Sequence, residues 1–369
     1  MVDLAGKKYI CPGPIDCHVY LSSVPGDADL AEAIPSSPAV SFMRQPFSCP
    51  QTLGPGFTTV RDCGGATLAL KEAIENDVSP GPRLFIANSA LSQTGGRGDV
   101  RSAHDRRGTG RLCCGGEHAS GLSVVCGGVP ECTRAAREQL HTGADFLEIM
   151  VGGGVALPTD RLENTQFTAD EVSAVSEVAR SYGTWVAAHA YTSRAIRHAV
   201  DNGVAGIEHG NRLGEDTAHY IAERGVWLTP TLVAYDTMAS DKYADFLPPE
   251  NQRKNREVLA RGLCSIEIGA RAGVAMCFGS DLLRPLTAEQ SREFGIRVRV
   301  LSSKEVLQCA TVNAARMVRQ DGFLGQVKAG FAADVLIPNE NPLDDVSILD
   351  DFERHVLVVP KKGRVYESR

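Results

Sequence analysis

Residues 184–211 read "TWVAAHAYTSRAIRHAVDNGVAGIEHGN". Two short apolar runs, "TWVAAHAYT" and "AGIEHGN", flank the amphipathic "SRAIRHAVDNG". A strand, a helix and another strand in so short a span predict two parallel strands joined by a crossover. The same alternation extends both ways. Upstream, "GFTTVRDCGG" (56–65), "PRLFIAN" (82–88) and "DFLEIMVGGG" (145–154) read as strands, with "ATLALKEAIEND", "VPECTRAAREQLHTGA" and "TADEVSAVSEVARSYG" as helices. Pro130 and Gly143 bracket the second of these helices. Downstream come the helix "DTAHYIAERG", the strand "VWLTPTLV", a helical stretch from Asn251 to Ala272 and the strand "VAMCFGSDL" (274–282). Repetition over this length favours an α/β fold of the (β/α)8 barrel type over an open sheet, because no G-x-G-x-x-G follows an early strand.

The polar residues fall where a barrel needs them. His18 and Tyr20 follow "PID" in "CPGPIDCHVYLSS" (11–23), Glu148 interrupts "FLEIM", and His189, His209 and Asp281 end their apolar runs. The C-terminal ends of barrel strands form the catalytic rim. A lone histidine there is more often a hydrogen-bonded core residue than a ligand. A buried carboxylate, however, is costly unless paired or metal-bound, so Glu148 and Asp281 favour a site. The other six histidines, His104, His118, His141, His198, His219 and His355, read as surface residues.

Composition narrows the class. A chain of 369 residues, 43% apolar and 22% charged, buries a large core. A net charge of −7 argues against nucleic acid or an anionic membrane as partner, leaving a small-molecule substrate. No apolar run reaches the ~18 residues that span a bilayer, and the start "MVDLAGKKYI" lacks a signal-like apolar segment, so a cytoplasmic location is expected. Eleven cysteines without paired C-x-x-C spacing read as reduced, mostly structural thiols.

The chain resembles the metal-dependent amidohydrolase superfamily, in the branch of imidazolonepropionase-like, Xaa-Pro dipeptidase-like and ochratoxinase-like enzymes. The resemblance rests on "PGPIDCHVYL", "GFTTVRDCGG", "PGPRLFIANSALSQTGGRGD", "GADFLEIMVGGGVALPTD", "QFTADEV", "VAAHAYTSRAIRHAVDNGVAGIEHGN", "LTPTLV", "GSDLL" and "TVNAARMV", in family order over nearly the whole chain. It implies a barrel over residues 11–322 and a small β-sandwich made from both chain ends. Residues 323–369 resemble the C-terminal share of that sandwich, and residues 1–10 only the last strand of the N-terminal share. An incomplete sandwich would leave apolar tail surface for a partner subunit to cover, so a homo-oligomer is expected.

The departures from the family pattern bear on the chemistry. Many relatives hold two zinc ions with His-x-His, a carbamylated lysine, two later histidines and an aspartate. Here His18 matches the first histidine, Tyr20 replaces the second, Glu148 stands at the lysine position, His189 and His209 match the later pair, and Asp281 matches the aspartate. Tyrosine is a poor zinc ligand while its pKa is near 10. Glu148 carries the carbamate's charge but falls roughly 3–4 Å short of its reach. Glu148, His189 and His209 would still give one carboxylate, two imidazoles and an open position, a normal set for one catalytic zinc, with Asp281 as base.

The resemblance therefore implies a hydrolase of an amide, cyclic amide or ester carrying about one zinc, or a similar divalent ion, per chain. Arg97 in "TGGRGD", where relatives commonly have histidine, keeps a second reading open. In that reading the barrel performs decarboxylation, isomerisation or ring closure, with Tyr20 as acid or base and Arg97 holding a substrate carboxylate. A non-catalytic binding protein is the third. Tyr191, just past His189, is placed to touch substrate, and the glycine-rich, basic stretch after Gly96 reads either as a lid over an anionic substrate or as a solvated loop.

Overall fold

The computed structural model describes residues 9–23, 38–101, 104, 122–157 and 160–369. Strand β1 (Cys11–Pro12) is followed by β2 (Ile15–Val19), β3 (Thr59–Asp62), β4 (Arg83–Ile86), β5 (Ala90–Ser92), β6 (Ser123–Val125), β7 (Leu147–Met150), β8 (Val186–Thr192), β9 (Gly206–Arg212) and β10 (Trp227–Thr229). Strands β2-β3-β4 form a parallel three-stranded sheet, and a six-stranded parallel sheet has the order β10-β9-β8-β7-β5-β6. Helices Leu68–Glu75, Val129–His141, Ala169–Ser181, Ser193–Asp201 and Glu215–Glu223 lie between strands, as the alternation of short apolar runs and amphipathic segments requires. The result is a TIM-barrel-like α/β fold.

Local sequence chemistry sets these boundaries. Thr168 and Glu171 form a capping box: Glu171 accepts from the Thr168 backbone N–H at 2.7 Å, and the Thr168 hydroxyl accepts from the Glu171 N–H. Helix Val129–His141 stops where Gly143 takes φ +97°, a conformation open to glycine at little cost. Strand residues such as Val60, Leu147, Ile149, Val186 and Ile207 are buried in one continuous core.

One expected strand is irregular. In "VAMCFGSDL" only Met276 pairs as a bridge, with Leu228 of β10. The segment is nevertheless bonded on both sides. Cys277 N–H donates to Leu228 O at 2.9 Å, while Cys17 N–H of β2 donates to Phe278 O at 2.8 Å and Asp281 N–H to His18 O at 2.8 Å. Residues 275–281 therefore join the edge strand of one sheet to the edge strand of the other. Gly279 permits that approach, since a Cβ there would lie 2.6 Å from the Thr229 methyl.

A four-stranded sheet stands apart, in the order β1-β11-β12-β13 with β11 (Val335–Pro338), β12 (Val356–Lys361) and β13 (Arg364–Ser368), all antiparallel. Its N-terminal contribution is Cys11–Pro12, while the segment read as a remnant strand, residues 1–10, lies mostly outside the described residues. Most of the glycine-rich stretch 96–121 also lies outside them. Helix Pro38–Leu53 was not anticipated, since Pro46 and Pro50 inside it disfavour a helix. His355 is a correction to the surface reading: it is buried, with Nδ1 2.9 Å from Asn339 Oδ1, because it begins the packing of β12. Among the described residues no helix is long and apolar enough to cross a membrane, and the described cysteines are free.

Beneath the strands, Arg297 and Glu293 form a fully buried ion pair at 2.6 Å. Arg297 also donates to Cys277 O at 2.8 Å and Pro230 O at 2.5 Å, and Glu293 accepts from Val233 N–H at 2.6 Å. The pair thus ties residues 275–281 to the turn after β10. Arg297→Met should cost about 3–5 kcal/mol in urea unfolding, because Glu293 is left buried without its cation. The Arg297→Met/Glu293→Leu double variant should recover most of that loss, and a single variant with wild-type stability would contradict the assignment.

Candidate active site

The chain builds the site around His18, the fourth residue of β2. Its Nδ1 lies 2.7 Å from Glu208 Oε2, and Glu208 is held in turn by Arg61 at 2.6 Å. Arg61 further donates from Nε to Cys17 O at 2.5 Å. All three side chains are buried. Burial opposes a charge on Glu208, but Arg61 and His18 hold its carboxyl below the usual range. An anionic Glu208 accepts a hydrogen bond from His18 Nδ1–H, so Nε2 is the nitrogen turned away from it.

That Nε2 faces the pocket side, 3.4 Å from both the Tyr20 hydroxyl and Asp281 Oδ1. His209 adds its ring, 4.9 Å from His18 between centroids, with Nδ1 3.7 Å from Asp281 Oδ2 and 2.8 Å from the Thr231 hydroxyl. His209 and Asp281 both have positive φ, +72° and +55°. Such backbone costs about 1–3 kcal/mol per residue and concentrates at functional sites. Here it turns both side chains toward His18.

Among the described residues, donor atoms of His18, His209 and Asp281 lie within 4.8 Å of one another, as do those of His18, Cys63 and Glu208. The second set is wholly buried and already satisfied by the His18–Glu208 bond. Glu148 and His189, expected as ligands, belong to neither set. The His189 ring packs 4.6 Å from that of His209, but its Nε2 is drawn to Gly153 O at 3.1 Å. Glu148 is fully buried, and both its carboxyl oxygens lack a hydrogen-bond partner among the described residues.

The electrostatics follow from burial. Burial and then the neighbouring Glu208 push the Glu148 carboxyl well up. Burial also pushes His189 and His209 well down, so both rings are neutral at neutral pH. Burial lifts Tyr20 above its ordinary value and Cys63 to about 12, so both keep their protons. His18 is opposed by burial yet held well above the ordinary range by Cys63, Tyr20 and Asp281. Since Cys63 and Tyr20 stay neutral, the carboxylates Asp281 and Glu208 are the partners a proton there answers to.

Above this cluster a pocket opens, lined by Tyr20, Arg97, Tyr191 and Asp281 among apolar residues such as Met150, Val155, Phe246 and Leu283. Tyr191 accepts from the Tyr235 hydroxyl at 2.8 Å. The pocket thus gathers Tyr20, Arg97, Tyr191 and Asp281. Sequence reasoning missed Arg61 and Glu208; the signal was present, as charges inside the apolar runs "TTVRD" and "GIEHG". It also missed Asp16, which accepts from His18 N–H at 3.0 Å and from Gln290 at 2.7 Å.

The Glu208 assignment is open to a direct check. In protein labelled with 15N-histidine, the His18 Nδ1 proton should exchange slowly and resonate far downfield. Glu208→Gln should move it upfield, with a stability loss of about 3–5 kcal/mol because Arg61 is left buried without its anion. An unchanged resonance would show that Glu208 does not hold that proton.

The model of the amidohydrolase family matches residues 9–365. Ochratoxinase of Aspergillus niger is 26% identical over 368 residues, covering 97% of this chain and 76% of that protein. Among solved structures, an amidohydrolase superposes with a TM-score of 0.94 at 41% identity, covering 100% of this chain and 88% of the other. A prolidase complexed with N-methylphosphonate-L-proline gives 0.90 at 40% identity, covering 98% and 87%. A Xaa-Pro dipeptidase with bound methionine gives 0.85 at 28%, covering 97% and 87%.

Proposed function

This chain belongs to the amidohydrolase family, and on that premise we propose that it hydrolyses an amide, cyclic amide or ester bond of a small molecule, using one divalent ion, zinc, held at His18, His209 and Asp281. The observation that carries this reading is the donor cluster itself: two imidazoles and a carboxylate within 4.8 Å, beside a buried carboxyl, Glu148, with both oxygens unpartnered. Two nitrogens and a carboxylate with an open position suit a catalytic zinc. An uncompensated buried carboxylate is costly, and a nearby cation offsets that cost. The same reading takes the parallel strands as a (β/α)8 barrel closed through residues 275–281 and running from β2 to residue 322, with the tail sheet of 323–369 and Cys11–Pro12 as its appendage.

A divalent ion bound there would supply Lewis-acid activation of water and of the scissile carbonyl. The chain's own residues do the rest. Glu208 and Arg61 fix the His18 ring with Nε2 free, as an outer partner must if the inner ligand is to stay aimed. Asp281, whose side chain is 13% exposed where its ligand neighbours are sealed, meets the pocket. It takes the proton of the attacking water and returns it to the leaving nitrogen or oxygen. Tyr20 keeps its proton and stands 3.4 Å from His18 Nε2, so it donates a hydrogen bond to the carbonyl oxygen as charge develops. The apolar wall at Val155, Phe246 and Leu283 limits water around the reacting bond.

With zinc at saturation, Asp281→Asn should lower kcat by about 10²–10⁴-fold, the usual yield of a positioned base. In H2(18)O, wild-type product should gain one labelled oxygen in its new carboxyl group. Near-normal turnover by Asp281→Asn, or a product with the substrate's own mass, would overturn the hydrolytic reading and favour rearrangement chemistry through Tyr20.

A further inference from the structure

We propose that Asp16 is a positioning residue of the site, a buried carboxyl group that sets His18 and Asp281 in register with each other. The inference rests on the reading that these two side chains work together, but its geometry stands apart from that reading. Both lie where a regular strand ladder breaks. The pairing of β2 with β3 shifts register between Asp16 and Val19, so β2 is irregular through Cys17 and His18. Opposite it, residues 275–281 pair as a bridge only at Met276 among the described residues. Such an irregularity re-aims a side chain and leaves backbone groups that need another partner.

Asp16 supplies that partner on both sides. Its Oδ1 accepts from His18 N–H at 3.0 Å, two residues along its own strand, and from Ser280 N–H at 3.1 Å, one residue before Asp281. The first contact is a side chain standing in for a ladder acceptor. Its Oδ2 accepts from the Ser280 hydroxyl at 2.5 Å and from Gln290 Nε2 at 2.7 Å. His18 O then accepts from Asp281 N–H at 2.8 Å, which closes a ring of bonds through both strands. Gln290 lies in the short helix Leu286–Arg292, so a third element also grips the carboxyl group.

Two features separate this role from ordinary packing. Asp16 is fully buried, both its oxygens are occupied by donors, and it belongs to neither group of converging ligand atoms. It therefore acts on the site only through the backbone it holds. The stretch it holds also has little preference of its own. Gly279 carries no side chain and Asp281 takes φ +55°, so Ser280, gripped twice by Asp16, fixes the turn between them. Cys17 N–H to Phe278 O joins the same two segments earlier along both and leaves that turn unset.

The test begins without metal, with amide hydrogen exchange followed by NMR on the purified protein. Asp16→Ala should speed exchange at the 18, 280 and 281 amides about tenfold or more, while the Val186 and Ile207 amides keep their wild-type rates. Calorimetric titration with cobalt(II) alone should then show affinity about 10- to 100-fold weaker, as when an outer partner of a ligand set is lost. Asp16→Asn should return both readings to within about threefold of wild type, because its oxygen keeps the two backbone donors and the Gln290 amide can turn to accept from its nitrogen. If Asp16→Ala does not fold, Ser280→Ala decides: it removes one grip and should still speed the 280 and 281 amides relative to Val186. Wild-type exchange at 280 and 281 in the variant that decides would overturn the proposal. So would a rise spread evenly over Val186 and Ile207, unchanged cobalt affinity, or an Asp16→Asn protein as impaired as Asp16→Ala. If wild type takes up no cobalt while the exchange pattern holds, the positioning role stands and the one-ion reading falls.

Discussion

The site depends on one buried carboxylate. Glu208 receives Arg61 at 2.6 Å and His18 at 2.7 Å, with all three side chains shut from solvent. Removing Arg61 would leave Glu208 without its compensating cation in the interior, a loss of about 3–5 kcal/mol. The orientation it imposes follows from that energy. Because Glu208 accepts from Nδ1–H, Nε2 of His18 can face only Tyr20 and Asp281. Arg61 in turn grips the Cys17 carbonyl, so the strand carrying His18 is fixed by the same contact that fixes its ring.

The two departures from the family pattern make sense together on this frame. A phenol at position 20 keeps its proton, and a glutamate at 148 cannot extend as far as the longer group it replaces. Donor atoms accordingly converge on His18, His209 and Asp281, while Glu148 stays close and unpartnered. A single ion set by three inner donors needs no bridging ligand. On the proposed one-ion reading Glu148, whose burial favours its neutral form, stays outside the ligands, and Tyr20 offers a hydrogen-bond donor where a second imidazole would bind metal.

Much of this arrangement was legible in the sequence. His18, His209 and Asp281 end or interrupt apolar runs, and the strand–helix alternation puts such positions at one end of the parallel strands. Glu208 was visible as a charge inside "GIEHG" but was passed over for a specific reason. Strand alternation sends adjacent residues to opposite faces, so Glu208 and His209 should not serve one cluster. His209 breaks that rule by adopting φ +72°, which no pattern of residue types announces. Residues 275–281 were read as a regular strand because they are apolar, yet Gly279 and the left-handed Asp281 turn them into an irregular link between two sheets. The set containing Glu148 and His189 came from the family resemblance, and a resemblance does not register the pull of the Gly153 carbonyl on His189.

The central claim is that His18, oriented by Glu208, shares one cation with His209 and Asp281. Diffraction from crystals grown with zinc, recorded on either side of the zinc absorption edge, tests it most directly. The account predicts one anomalous peak per chain, in contact with His18, His209 and Asp281 and with Glu148 outside its ligands. No peak, two peaks, or a single peak held by Glu148 and His189 without His18 would contradict it.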